Sequence, residues 1–137
     1  MDNTANCGSG SISLIVEGDD LNFGNIQQLL SLNPTKILKK GEKNAKIDAW
    51  HYQCCYNNPN EINSVINNFT EILRNADIDS LKKISSAVYI KFYLQSDLAQ
   101  IAFEISDKNM KNLNNLNLTI YFSVFSWGGV VSDGEEA

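Results

Sequence analysis

Few residues in this chain have the chemistry of a reactive site, and their spacing separates reactive from structural roles. His51 lies close to Cys54 and Cys55, and an imidazole beside a thiol is the usual basis of cysteine nucleophilicity. Side chains alternate faces along a strand, however, so His51 and Cys54 point apart there. A structural zinc ion takes about four ligands, whereas the chain has one histidine and three cysteines, none spaced as a chelating knuckle. No metal, cofactor or catalytic group is therefore expected, and His51 reads as a structural or surface residue. Cys55 has no sequence neighbour that would lower its thiol pKa, so it reads as an inert strand cysteine. Gly8 and Gly10, like Gly128 and Gly129, lack the spacing of a phosphate loop.

Glu17, Asp19 and Asp20 are the closest approach to a carboxylate cluster, a grouping able to hold a cation or exchange protons. Their position at a strand-to-helix turn has a simpler cause, because aspartate favours turns and the positive ends of helices. A second group is aromatic. Tyr89, Lys91 and Tyr93 alternate with apolar residues on one strand, and Tyr121 and Phe125 do so on another. Such a face can stack bases or anchor a protein partner, in whose interfaces tyrosine is enriched. Its plain alternative is cross-strand pairing that only stabilises the sheet.

The elements that position these residues follow from periodicity. Ile12, Leu14 and Val16 at a spacing of two predict a first strand. Asn22 is placed to cap a short helix through Ile26, Leu29 and Leu30, which Pro34 ends. Residues 35–48, rich in lysine around Gly41, read as a long surface loop. In 49–56, Trp50, Tyr52 and Cys54 alternate with His51, Gln53 and Cys55, predicting a second strand. Asn58, Pro59 and Glu61 then open a helix whose stripe is Ile62, Val65, Ile66, Phe69, Ile72 and Leu73. Burying those side chains is worth roughly 10 to 15 kcal/mol before chain entropy is counted, so the helix must lie against the sheet. Asp79 is placed to cap a further helix through Leu81 and Ile84. Val88, Ile90, Phe92 and Leu94, a turn near Ser96 and Asp97, and Ile101, Phe103 and Ile105 predict an antiparallel hairpin. Ser106 caps a helix with Met110, Leu113 and Leu116, and Leu118, Ile120, Phe122 and Val124 form the last strand. The expected fold is α+β: one domain over 11–127, with a mixed or antiparallel sheet of about five strands and helices packed on one face. Residues 1–10 read as a flexible N-terminus and 128–137 as an acidic tail.

The order Gly18, Asp19 and Leu21 after a first strand, then Leu32, Pro34 and Thr35, then Lys40 and Gly41, then Trp50 opening a strand resembles a bacterial family, the domain of unknown function 4279. Ser106 at the start of the last helix and the final strand over 118–122 continue the likeness. The resemblance implies a compact bacterial α+β domain and transfers no catalytic residue. The cysteine pair and the acidic tail fall outside it.

Bulk properties narrow the partners. A chain of 137 residues suffices for one core. Its net charge of −5, with 16 acidic against 11 basic residues, disfavours nucleic acid, which is held by clustered cations. A basic protein partner suits it better. No apolar run is long enough to span a bilayer and the first residues do not resemble a signal peptide, so a cytoplasmic location without membrane contact is expected. Three cysteines, two of them adjacent, encode no disulfide framework, consistent with a reducing compartment. The functional expectation is a non-catalytic protein-binding domain, within that class an immunity-type protein that occludes a toxin. Its contact surface would be Tyr89, Lys91, Tyr93, Tyr121 and Phe125. The alternative is a small-ligand domain in which the 35–48 loop forms a lid over a pocket near Trp50. Sequence leaves the oligomeric state open.

Overall fold

The computed structural model describes Cys7 and residues 9–97 and 101–126. The elements are β1 (Gly10–Gly18), α1 (Phe23–Leu30), β2 (Lys36–Leu38), β3 (Asp48–Tyr56), α2 (Ile62–Leu73), α3 (Ile78–Ile84), β4 (Ala87–Ser96), α4 (Asp107–Asn115) and β5 (Thr119–Ser126). The strands form one sheet in the order β2-β3-β1-β4-β5. All pairings are antiparallel except β4 with β5, which is parallel, so the expected α+β fold with a mixed sheet is what forms. The tail over 128–137 and most of the N-terminal segment lie outside the described residues; Gly10 itself opens β1.

The first strand sits at the centre, apolar on one face through Ile12, Leu14 and Val16 and carrying the short side chains of Ser11 and Ser13 on the other. Ile12, Leu14 and Val16 are fully buried and meet Trp50, Ile90 and Phe92 from the flanking strands. Ile26 and Leu30 of α1, Ile66, Phe69 and Leu73 of α2, Leu81 of α3 and Leu113 of α4 close the same core. Every described helix therefore packs on one side of the sheet, and among the described residues none covers the other side, called the open face below. Four of the six residues in the α2 stripe, Ile62, Ile66, Phe69 and Leu73, are buried as expected.

Caps form largely where the sequence places them. Asn22 Oδ1 accepts from Asn25 N at 3.0 Å, and Ser106 Oγ accepts from Asn109 N at 3.2 Å. Asn58 and Pro59 open a 3₁₀ turn that runs into α2, and Glu61 Oε1 reaches back to accept from Asn57 N at 3.0 Å. The cap of α3 is Asp77, which accepts from Ser80 N at 3.1 Å, and Asp79 lies in the first turn instead.

Three expectations are corrected. Residues 35–48 are not all loop, because Lys36, Ile37 and Leu38 pair with His51, Trp50 and Ala49 as an edge strand. Thr35 starts that pairing: its backbone N–H donates to the His51 carbonyl at 2.8 Å and its Oγ1 accepts from Gln53 N at 3.1 Å. The predicted hairpin after β4 does not form either. Residues 101–106 carry no strand, since a parallel β4/β5 pair needs a crossover and the chain must return along the helix side. The alternation of Ile101 and Ile105 lays that crossover onto the core, and α4 completes it. Finally, Met110 of α4 is 60% exposed while Asn109 is buried. Asn109 Nδ2 donates to the Asn63 carbonyl at 2.8 Å, tying α4 to α2.

Candidate functional site on the open sheet face

Strand register assigns each residue to a face and a row across the sheet. One row runs Cys55, Ser11, Tyr93 and Ser123; the next runs Gln53, Ser13, Lys91 and Tyr121; a third runs Lys36, His51, Ile15, Tyr89 and Thr119. Phe125 stands beside Gln95 at one end, and Glu17 lies between Ala49 and Ala87 at the other. All five residues of the expected contact surface, Tyr89, Lys91, Tyr93, Tyr121 and Phe125, thus share the open face on β4 and β5.

Their settings differ. Tyr121 is 54% and Phe125 44% exposed, whereas Tyr89, Lys91 and Tyr93 are half-buried. The Lys91 Nζ lies 5.9 Å from the centroid of the Tyr121 ring, a cation–π contact that spans the two strands. Tyr93 Oη donates to Gln95 Oε1 at 2.8 Å. Tyr89 Oη donates to Glu17 Oε2 at 3.1 Å, and burial, with the Glu17 charge beside it, pushes the Tyr89 phenol up to about 12. On the helix side of β5, Phe122 and Val124, which the sequence places in the core, are 45% and 57% exposed. Phe122 stacks on Phe92 with centroids 5.4 Å apart. As an edge strand, β5 is covered less than its pattern implies.

Glu17, Asp19 and Asp20 do not converge. Glu17 serves Tyr89, Asp19 pairs with Lys40 Nζ at 3.3 Å, and Asp20 occupies the left-handed φ of 55° at the turn. Among the described residues no three His, Cys, Asp or Glu side chains are grouped to hold a metal ion. The carboxylate that organises this end of the sheet is Asp48, which the sequence reading passed over. Its Oδ2 accepts from Leu21 N at 2.9 Å and its Oδ1 from Lys40 N at 2.7 Å, so one buried side chain fastens the β1–α1 turn and the β2–β3 connection.

The cysteines depart from expectation. Cys54 and Cys55 do alternate, Cys54 packing toward the core and Cys55 lying on the open face, but Cys55 is joined to Cys7 in a disulfide, with Cα atoms 4.9 Å apart. A polar N-terminal residue without periodic neighbours carries no sequence signal for that pairing. Burial pushes the free Cys54 thiol up, against a smaller opposing effect of its hydrogen bond with Tyr52, which makes it a poor nucleophile. His51 and Cys54 lie on opposite faces, as read from their spacing. Trp50 is fully buried and the 36–38 segment above it is hydrogen-bonded to β3, so this segment is an edge strand rather than a lid, and no ligand can reach the tryptophan without opening the core.

Concave surface exists elsewhere. On the open face, Ser11 and Ser13 form the floor of a trough whose sides carry His51 and Gln53 from β3 and Lys91 and Tyr93 from β4. Gln53 Nε2 donates to Ser11 Oγ at 3.3 Å across the floor. Among the described residues no helix is long and apolar enough to cross a membrane.

The chain matches no curated protein and no solved structure. The pattern that defines the domain of unknown function DUF4279 matches residues 7–127, a span that takes in every strand and helix described above. The resemblance carried by Gly18, Pro34, Lys40 and Trp50 is thereby secured: the chain belongs to the DUF4279 family.

Proposed function

We propose that this domain is a non-catalytic protein-binding module whose contact surface is the open face of its sheet. The observation that carries the reading is the exposure of Tyr121 and Phe125 beside half-buried Tyr89, Lys91 and Tyr93 on one continuous face that none of the described helices covers. Large aromatic side chains so placed offer contact area at low entropic cost, and truncating such an anchor costs roughly 2 kcal/mol or more of binding energy. The finer reading is an immunity-type bacterial protein that occludes a toxin in the cytoplasm. It rests on small size and a net charge of −5, which speeds encounter with a basic partner. The cations Lys36 and Lys91 lie on the contact face, so the acidic excess acts at long range and the face itself meets hydrogen-bond acceptors. In a reducing cytoplasm Cys7 and Cys55 would stand as thiols.

The test is capture of a partner from nuclease-treated lysate of the source cells by the tagged wild type and by a Tyr121→Ala, Phe125→Ala double variant. Both side chains are exposed, so the variant keeps its fold. One protein retained by the wild type and lost by the variant supports the reading, and protection of cells expressing that protein supports the immunity role. Equal retention by both proteins, or none by either, removes it.

A further inference from the structure

The two edges of the sheet are built differently. At one edge β2 is three residues long and is followed by Lys39 and Lys40; short length and charge are means by which edge strands avoid joining other chains. At the other edge β5 has neither. It runs for 8 residues, Thr119–Ser126, with no charged residue and no proline. Its register against β4 advances one for one from Tyr89 and Thr119 to Ser96 and Ser126, so no bulge turns it away. Among the described residues β4 is its one neighbour in the sheet.

The side chains of β5 are those of an interior strand. Strands covered on both faces read as nearly continuous apolar runs, and Ile120, Tyr121, Phe122 and Val124 make such a run. At an edge they meet solvent on both faces: Tyr121 is 54% exposed on the open face, and Phe122 and Val124 are 45% and 57% exposed on the helix side. Phe122 keeps that exposure although it stacks on Phe92 at 5.4 Å and meets Phe103 at 6.5 Å, so its own sheet does not use up its surface.

We infer that β5 is a dimerisation edge, which pairs antiparallel with β5 of a second copy across a two-fold axis and so joins two sheets into one. The strand that such an edge accepts is uncharged, apolar on both faces and of similar length, and β5 itself meets each condition. An axis at Tyr121 pairs Thr119 with Ser123 and Ile120 with Phe122 of the second copy. Hydroxyl then lies beside hydroxyl on the open face and apolar beside apolar on the helix side. Covering the exposed parts of Tyr121, Phe122 and Val124 together with the strand backbone removes on the order of 1,000 Å² over two copies, the lower limit of a specific interface. Dissociation is therefore expected in the micromolar range. The net charge of −5 repels two copies at a distance, but none of it lies on β5.

This pairing goes beyond the proposed protein contact. The two share Tyr121, but Val124 faces the helix side and belongs to the pairing alone. Sedimentation equilibrium of the full chain from about 1 μM to about 1 mM should show a mass that rises from that of one chain toward that of two. Val124→Lys sets an ammonium among apolar side chains, as guarded edges do, and should weaken the association by about tenfold or more. Ile37→Lys, at a 39% exposed position on the β2 edge, should leave it at wild-type strength. Both variants are checked for fold by circular dichroism. Amides over 119–124 should exchange more slowly as the wild-type concentration rises, and should not do so in Val124→Lys. A single-chain mass at every concentration, association that survives Val124→Lys, or association lost in a folded Ile37→Lys overturns the inference. Val124→Lys leaves Tyr121 and Phe125 in place, so loss of the dimer and loss of partner capture are scored separately.

Discussion

Removing the Asp48 side chain should loosen two connections at once. Asp48 is 9% exposed and accepts from Leu21 N at 2.9 Å and Lys40 N at 2.7 Å. Hydrogen bonds to a charged group contribute about 1.5 to 3 kcal/mol each. The Lys40 amide lies in an exposed segment and regains water when the bond is lost, so its share falls at the low end. The Leu21 amide sits beside a buried leucine and its share falls higher. Asp48→Ala should therefore cost about 3 kcal/mol, a large part of the roughly 5 to 15 kcal/mol that holds a domain together. With a urea slope near 2 kcal/mol per molar, the unfolding midpoint should drop by about 1.5 M. Asp48→Asn keeps one acceptor and turns a donor toward the other amide, so it should lose about half as much. Amide hydrogen exchange supplies the local test: Leu21, Lys40 and the β2 amides should exchange faster in Asp48→Ala while the centre of β1 stays protected. An alanine variant within about 0.5 kcal/mol of the wild type would mean that water replaces the carboxylate at no net cost and that Asp48 does not hold the two connections.

Other perturbations test other joints of the fold. Gly10 has a φ of 154° and a Cβ there would run into the Tyr93 carbonyl oxygen and the Tyr56 hydroxyl, so Gly10→Ala should cost about 2 to 3 kcal/mol in urea unfolding. Burial pushes the Tyr56 and Tyr89 phenols up to about 12 from 10.0. The folded state then holds protons that the unfolded state releases; the resulting stability is complete below pH 10.0 and is lost as pH rises toward about 12. Tyr89→Phe should reduce that alkaline loss, as followed by thermal unfolding across the window. The Cys7–Cys55 bond closes a loop of 48 residues, for which the chain-entropy relation gives about 4 kcal/mol. Oxidised wild type should exceed Cys7→Ser by up to that amount, and adding reductant should bring the two together.

Local patterns were legible where one side chain's burial repeats along an element. The alternation in β1, β3 and β4 and the stripe of α2 each state which side faces the core, and the structure follows them. Pairing was not legible, because it depends on residues far apart in the chain. The apolar alternation at Ile101, Phe103 and Ile105 is the same for a strand as for an extended crossover, and only the parallel direction of β5 decides between them. Lys36–Leu38 is too short to read as a strand until Trp50 and His51 are placed beside it. At the site, the sequence identified the aromatic residues of the open face because their types are conspicuous. It missed the trough because its floor is two serines, which have no distinguishing pattern, and because Lys36 seemed to lie in a loop.

Several of the residues that carry the family resemblance lie away from the trough, although the final strand over 118–122 brings Tyr121 to the open face. Leu21 and Lys40 meet on Asp48, Asp19 pairs with Lys40, Thr35 fastens β2 to β3, and Trp50 fills the core. Gly18 admits the close approach of Leu21, whose Cδ2 would lie 2.9 Å from an added Cβ. Each of these is an interaction that builds the sheet end or the core, and none lines the trough between Ser11, Ser13, Lys36 and Lys91. At Lys36, Lys91, Tyr121 and Phe125 the open face carries side chains outside the core, and a β-strand residue on that side can change size or charge without disturbing the opposite, buried side. A fold organised this way separates the residues that hold the strands in register from those that meet a partner. It follows that replacing Lys36, Lys91, Tyr121 or Phe125 should alter binding at little cost in stability, while replacing Asp48, Trp50 or Gly18 should alter stability first and binding only through it.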